Sequence, residues 1–179
     1  MVTIIFESHG TSLDNEAHLS SGWFNVELSE LGQRQAVELG ERHRDEQFAA
    51  IFCSDLQRSY RTAEIAFLGR GFPIIQDQRL RECDYGELTR HSSSEVEPKR
   101  GEYVDIQFPG GQSYEQTADL IKSFLRDLLK NYDGQKVMII GHRATQYGLE
   151  HWISGVPLQE AVTVSWAWQP GWMYKLKHL

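Results

Sequence analysis

Histidine and arginine side chains carried to the ends of buried strands can bind an anionic group, and this sequence supplies them in three places. The stretch IIFESHGTSLDNE (4–16) runs from an apolar strand into Ser8, His9 and Gly10, followed by Thr11, Ser12 and Asn15. The run FAAIFCS (48–54) leads to Ser54, Arg58 and Arg61, and VMIIGH (137–142) leads to His142 and Arg143. In an open α/β sheet the binding crevice lies beyond the carboxyl ends of the strands. Two imidazoles and several guanidiniums therefore converge on one rim, with Glu82 of the turn-rich RLRECDYGEL (79–88) able to reach it. Such a rim suits an anion.

A lone histidine at a strand end is commonly a packing residue, whereas two at equivalent ends point to chemistry. No His-X-X-X-His or related ligand spacing occurs, so no metal is expected. Arg58 falls in the first turn of a helix, where the amide ends also attract phosphate. Arg61, one turn further, belongs either to the same site or to a solvated face. The remaining histidines, His18, His43, His91, His151 and His178, read as surface, helix-face or tail residues.

The elements that position this rim follow from hydrophobic patterning. Val2–Phe6, 48–54 and 137–142 are continuous apolar runs, which suit strands covered on both faces, and PIIQDQRL (73–80) supplies a peripheral strand. Ser29 caps a helix from Glu30 to about Arg44. Ser113 with Gln116 forms a capping box ahead of a wide stripe of Leu120, Ile121, Phe124, Leu125, Leu128 and Leu129. Further helices are expected over Asp55–Phe67 and Thr145–Ile153, and an edge hairpin over Ala161–Leu176 around Pro170-Gly171. Strands leading into helices predict an α/β fold, a three-layer α/β/α sandwich with a mostly parallel central sheet. Residues 88–112 have no clean period and read as a polar excursion, a lid over the rim. No domain boundary is visible, so 1–179 is expected to form a single domain.

The formal charge of −7 disfavours nucleic acid and acidic membranes as partners, but a basic pocket can still hold a small anion. No stretch approaches the roughly 20 apolar residues of a membrane span. Cys53 and Cys83 match neither a zinc pattern nor a disulfide framework and read as reduced thiols. A cytoplasmic location is expected.

These residues bring a family into view. The chain resembles the histidine phosphatase superfamily, in its phosphoglycerate mutase-like branch, over nearly its whole length. HGTSLDN is similar to the stretch after the family's nucleophilic histidine, SGWFNVELSELGQRQA (21–36) to the segment that follows, and SDLQRSYRTAE (54–64) to the motif with a phosphate-clamping arginine. RLRECDYGEL, PGGQS (109–113) and VMIIGH match in order the acid, the loop into the long helix and the second histidine. The resemblance implies a phosphomonoesterase without cofactor or metal, acting on a small phosphorylated substrate. His9 would attack phosphorus to give a phosphohistidine, Glu82 would serve as general acid and base, and Arg58 and His142 would hold the phosphoryl oxygens. Asn15, Ser12, Gly10 and Arg61 are further candidates for phosphate or substrate contacts.

Where the family has arginine before its nucleophile, this chain has Ser8. Three readings are open: Arg143 fills the vacancy, with Arg61 as a second candidate; Arg143 pairs with Glu7; or the pocket is weakened and binds a phospho-ligand with little turnover. A phosphoglycerate mutase is a further alternative, disfavoured because only 88–108 occupies the place of the longer mutase insertions. Trp23, Phe24, Tyr85, Tyr103 and Phe108 could pack on a leaving group or anchor the loops. Trp166, Trp168 and Trp172 read as core or as a patch for a second copy of the chain in a homodimer.

Overall fold

The computed structural model describes residues 1–179. In chain order the elements are β1 (Val2–Ser8), α1 (Leu13–Glu16), α2 (Glu30–Arg42), β2 (Ile51–Cys53), α3 (Gln57–Phe67), β3 (Ile74–Gln76), α4 (Ser93–Val96), α5 (Tyr114–Asn131), β4 (Lys136–Gly141), α6 (Arg143–Ser154), α7 (Leu158–Thr163) and β5 (Trp172–Leu176). The sheet order is β3-β2-β4-β1-β5, with β5 antiparallel to β1 and the other pairs parallel.

The pleat sorts β1 into two faces. Ile4 and Phe6 pack with Ile121, Phe124, Leu125 and Leu128 of α5 and Leu149 of α6. Ile5 points the other way, into a cluster with Leu39 of α2 and Ala63, Ala66 and Phe67 of α3. Helices thus cover both faces, which is why β1 and β4 read as unbroken apolar runs. Ser29 accepts from the Gly32 N–H, and Ser113 and Gln116 close a reciprocal capping box at the start of α5. Gly10 and Gly32 lie so close that a methyl on either would collide with the backbone of the other segment. This contact fixes the loop after β1 against the N-terminus of α2.

The expected C-terminal hairpin is corrected. Residues up to Thr163 complete α7, which buries Ala161 and Val162 after Pro157, and only 172–176 form a strand. Gly171 does take a left-handed turn (φ 84°), but it turns the chain onto β1, whose open edge β5 closes. The segment 88–112 carries α4 and a 3₁₀ turn (Glu97–Tyr103), and it is pinned by fully buried Val96 and Phe108.

Glu7 is buried at the end of β1, on the face opposite Ser8, and it meets α2 rather than Arg143. Arg42 donates to its Oε2 at 3.1 Å and the His43 Nε2–H to its Oε1 at 2.7 Å. His43, taken from sequence as a helix-face residue, is itself buried and also bonds Glu46 at 2.7 Å, with Lys136 on the far side of Glu46. Burial alone would lower the His43 pKa, but the two carboxylates, Glu7 foremost, outweigh it and raise it above the ordinary 6.5. A raised folded pKa stabilises fully below the unfolded value and less as pH climbs through the folded one. His43→Leu, which strips Glu7 of one partner, is expected to cost roughly 3 kcal/mol in urea unfolding at acidic to neutral pH. The gap to the native chain should narrow at alkaline pH, and a pH-independent gap would contradict the charged pairing.

Candidate active site

The carboxyl ends of β1, β2 and β4 open into a cavity of about 710 Å³ lined by Ser8, His9, Gly10, Asn15, Arg58, Glu82 and Arg143, among others. The His9 N–H extends the sheet ladder to the Gly141 carbonyl at 3.1 Å, which fixes the backbone under the ring. Its Nδ1 lies 2.7 Å from the Gly10 carbonyl oxygen. A carbonyl only accepts, so Nδ1 carries the proton and Nε2 keeps its lone pair. Burial first, then the charges of Arg58 and Arg143, bring the His9 pKa down to about 3. The ring is neutral at physiological pH, with a free nucleophilic nitrogen.

His142 sits at the N-terminus of α6, its N–H on the Thr145 hydroxyl at 3.0 Å, and its ring centroid is 5.0 Å from that of His9. Burial, then Arg58 and His9, hold its pKa well below the usual range. Its Nε2 is 2.7 Å from the Ser54 hydroxyl, which also receives the Leu56 N–H at 3.3 Å. With the Ser54 hydroxyl donating to the Nε2 lone pair, the single ring proton stands on Nδ1, which becomes an N–H donor. That Nδ1 is buried and has no partner in the protein.

Arg58 projects from α3 and is buried, with two of its N–H groups on the carbonyls of Gly22 (2.7 Å) and Phe24 (3.0 Å). No carboxylate forms an ion pair with it, so its charge is available to a ligand. Glu82 is buried beside the cavity, where its Oε1 accepts the Cys83 N–H at 2.8 Å and its carbonyl receives the Trp23 indole at 2.7 Å. The Asn15 Oδ1 accepts the Ser12 N–H at 3.0 Å, which orients the carboxamide on the cavity wall.

Three of the sequence-derived candidates take other parts. Arg61 is 53% exposed and paired with Glu64, away from the cavity. Ser12 is buried as the N-cap of α1 and does not line the cavity. Gly10 lines it, but its N–H is donated to Thr62 at 3.0 Å. Arg143 does not pair with Glu7. Its Nη1 donates to Glu97 Oε1 at 3.1 Å, and its guanidinium lies 4.9 Å from the Trp166 ring centroid. Sequence reasoning missed Arg42, Glu97 and Arg100 on the cavity wall, and it left Trp166 and Trp168, which also line it, as core or contact residues. Each missed charge stands in a polar stretch or at a helix end, where nothing in the pattern shows which way it turns.

The profile of the histidine phosphatase superfamily (branch 1) matches residues 4–172. The chain belongs to that superfamily. A probable phosphoglycerate mutase, GpmB, of Salmonella choleraesuis is 31% identical over 165 residues, covering 88% of this chain and 77% of the relative. Among solved structures, Bacillus stearothermophilus YhfR superimposes with a TM-score of 0.83 at 24% identity, covering 95% of this chain and 88% of its own. A mycobacterial glucosyl-3-phosphoglycerate phosphatase does so with 0.80 at 23% identity, over 91% and 87%. The structural neighbours establish a phosphoglycerate mutase-like fold, and within the superfamily the expected chemistry is phosphoryl transfer. Of the four residues that the family motifs selected, His9, Arg58 and Glu82 line the cavity, and His142 does not line it but packs against the His9 ring.

Proposed function

We propose that the protein is a phosphomonoesterase that works through a phosphohistidine on His9. The observation that carries this reading is the His9 ring itself: neutral, with Nδ1–H on the Gly10 carbonyl and Nε2 unprotonated, in a cavity shared with Glu82 and Arg58. The Nε2 lone pair attacks phosphorus while the ester P–O bond breaks and the Glu82 carboxyl protonates the leaving oxygen. Water then attacks the phosphorus of the phosphohistidine, Glu82 takes the water's proton, and the P–N electrons return to Nε2. The Arg58 charge and a hydrogen bond from the Nδ1–H of His142 stabilise the phosphoryl oxygens, where most of the catalysis in phosphoryl transfer is found. Hydrolysis is favoured over mutase chemistry because only the 88–108 segment stands where a mutase carries a longer insertion to keep water from its intermediate. The phosphatase names of several structural neighbours agree with this choice.

The Ser8 departure is met by Arg143. Ser8 pairs in register with Gly141, two residues before Arg143, and β1 turns Ser8 toward the face covered by α6. The Arg143 charge is among those acting on His9, and the side chain lines the same cavity. Losing such a charge-assisted contact costs about 1.5–3 kcal/mol, or one to two decades in rate. Arg143→Ala is expected to lower kcat/KM by that factor, and Ser8→Arg added to it should restore most of the loss. Unchanged activity in Arg143→Ala would remove this role.

The defining experiment is a rapid quench of the protein with a phosphate ester. Acid-labile, base-stable phosphate on His9 is the expected product, and its absence together with stoichiometric phosphate binding would instead make the protein a phospho-ligand sensor. Assaying 3-phosphoglycerate with a bisphosphate primer beside p-nitrophenyl phosphate separates a mutase from a hydrolase.

A further inference from the structure

The peptide that joins Glu82 to Cys83 is held on both edges. Its N–H donates to the Glu82 Oε1 at 2.8 Å, and its C=O accepts the Trp23 indole N–H at 2.7 Å. A peptide unit is planar, so the two groups turn together. Fixing the carbonyl therefore fixes the N–H on the opposite edge, and with it the carboxyl group that the N–H holds. The indole is itself braced. The Arg81 guanidinium lies over its ring, 4.7 Å from the centroid, and Asp55 grips that guanidinium with both oxygens, Oδ1 accepting from Nε at 2.7 Å and Oδ2 from Nη2 at 2.6 Å. Asp55 lies just beyond the end of β2, so the contacts run unbroken from a central strand to Glu82. Gly22, on the other side of Trp23, packs so tightly on the Glu82 turn that an added methyl would come within 3.2 Å of the Tyr85 backbone nitrogen.

We infer that Trp23, backed by Arg81 and Asp55, is a positioning residue for the general acid, its indole N–H orienting the 82–83 peptide plane so that the Glu82 carboxyl faces the leaving oxygen. The inference rests on the phosphomonoesterase reading for the role of Glu82. Because the Cys83 N–H is a donor, Oε1 only accepts, and the proton to be transferred stands on Oε2. As the ester P–O bond breaks, that proton passes from Oε2 to the departing oxygen and the carboxyl group becomes a carboxylate. The new charge strengthens the Cys83 N–H bond and, through the polarised peptide, the indole bond behind it. Without the indole the plane rocks about its flanking dihedrals and carries the carboxyl group with it. A misplacement of about 1 Å in such a group costs about 10²-fold in rate.

The test is the rate of phosphoryl transfer to the protein, read by rapid quench, for n-butyl phosphate and p-nitrophenyl phosphate in Trp23→Phe, which keeps a ring under Arg81 and removes the N–H. Transfer from the butyl ester, which needs the Glu82 proton, should slow by about 10- to 100-fold. Transfer from p-nitrophenyl phosphate, whose leaving group needs no proton, should stay within about twofold. Inorganic phosphate should bind as before, because Arg58 is held by the backbone carbonyls of Gly22 and Phe24. Arg81→Met should give the same split, smaller in size, and add little to Trp23→Phe, since both act through one bond. Equal slowing of the two esters, which a merely structural role predicts, or undiminished transfer from the butyl ester overturns the inference, and Arg81→Met decides alone if Trp23→Phe fails to fold. If the unmodified protein takes phosphate from no ester, the phosphatase reading fails. The Glu82 carboxyl resonance in 13C-glutamate-labelled protein, assigned with Glu82→Gln, then still reports on the brace: a changed pH midpoint in Trp23→Phe supports it and an unmoved resonance overturns it.

Discussion

His9→Ala is expected to lower turnover of any phosphate ester by roughly four decades or more, and to abolish the trapped phosphoenzyme while leaving phosphate binding measurable. The reasons lie in how the ring is held. Its Nδ1 proton is fixed by the Gly10 carbonyl, so only Nε2 can attack, and no other unprotonated nitrogen is presented in that way, since His142 Nε2 is engaged by Ser54. Arg58, Arg143 and His142 remain to bind the dianion, so affinity should survive where chemistry does not. The depressed pKa has a pH signature of known sign. With a folded value of about 3, below the ordinary 6.5, His9 stays neutral as the pH falls, and its ring resonances should not titrate between pH 8 and 5. Across the same interval the unfolded chain gains a proton that the folded ring refuses, so His9 lowers stability progressively from near pH 6.5 toward 3. Turnover within tenfold of normal, or a phosphoenzyme that persists in the variant, would assign the nucleophile elsewhere.

The strands that deliver the two histidines were readable because parallel strands covered on both faces must be apolar throughout, and their ends mark the crevice. The α5 helix was readable for a similar reason, its stripe and capping box pointing to one packing face. What stayed open in the sequence was direction. Glu7 and Ser8 alternate across the sheet, so Glu7 faces α2 and meets Arg42 and His43, while Arg143 lies with α6 on the other side. The strand period contained that answer. On α3, Arg58, Thr62 and Ala66 share the buried face, and Arg61 falls on the outer one with Glu64. Arg100 and Glu97 lacked even that signal, because a segment without a period is aimed by its tertiary anchors, here Val96 and Phe108. The alternation after Ala161 reflected a short helix followed by irregular chain, and only the sheet edge beside β1 decided which residues became a strand.

Glu82→Gln is expected to separate the two half-reactions. The carboxamide keeps the size of the carboxyl group, and its oxygen can still accept the Cys83 N–H, but it neither gives nor takes a proton at the pH of the assay. An alkyl leaving group departs as a strongly basic oxyanion unless protonated, so its transfer to His9 should slow by about 10²–10⁴. p-Nitrophenolate leaves readily without a proton, so transfer from p-nitrophenyl phosphate should stay fast. Hydrolysis of the phosphohistidine, common to both substrates, needs a base for the attacking water and should become slow. The variant should therefore release one equivalent of p-nitrophenol per protein in a burst, then turn over slowly, with phosphate accumulated on His9, and show no burst with an alkyl ester. Equal losses for both esters in the first step, or steady turnover of p-nitrophenyl phosphate without a burst, would move the proton transfer to another group. The exposed Glu97 carboxylate on the same cavity wall would then be the next to test.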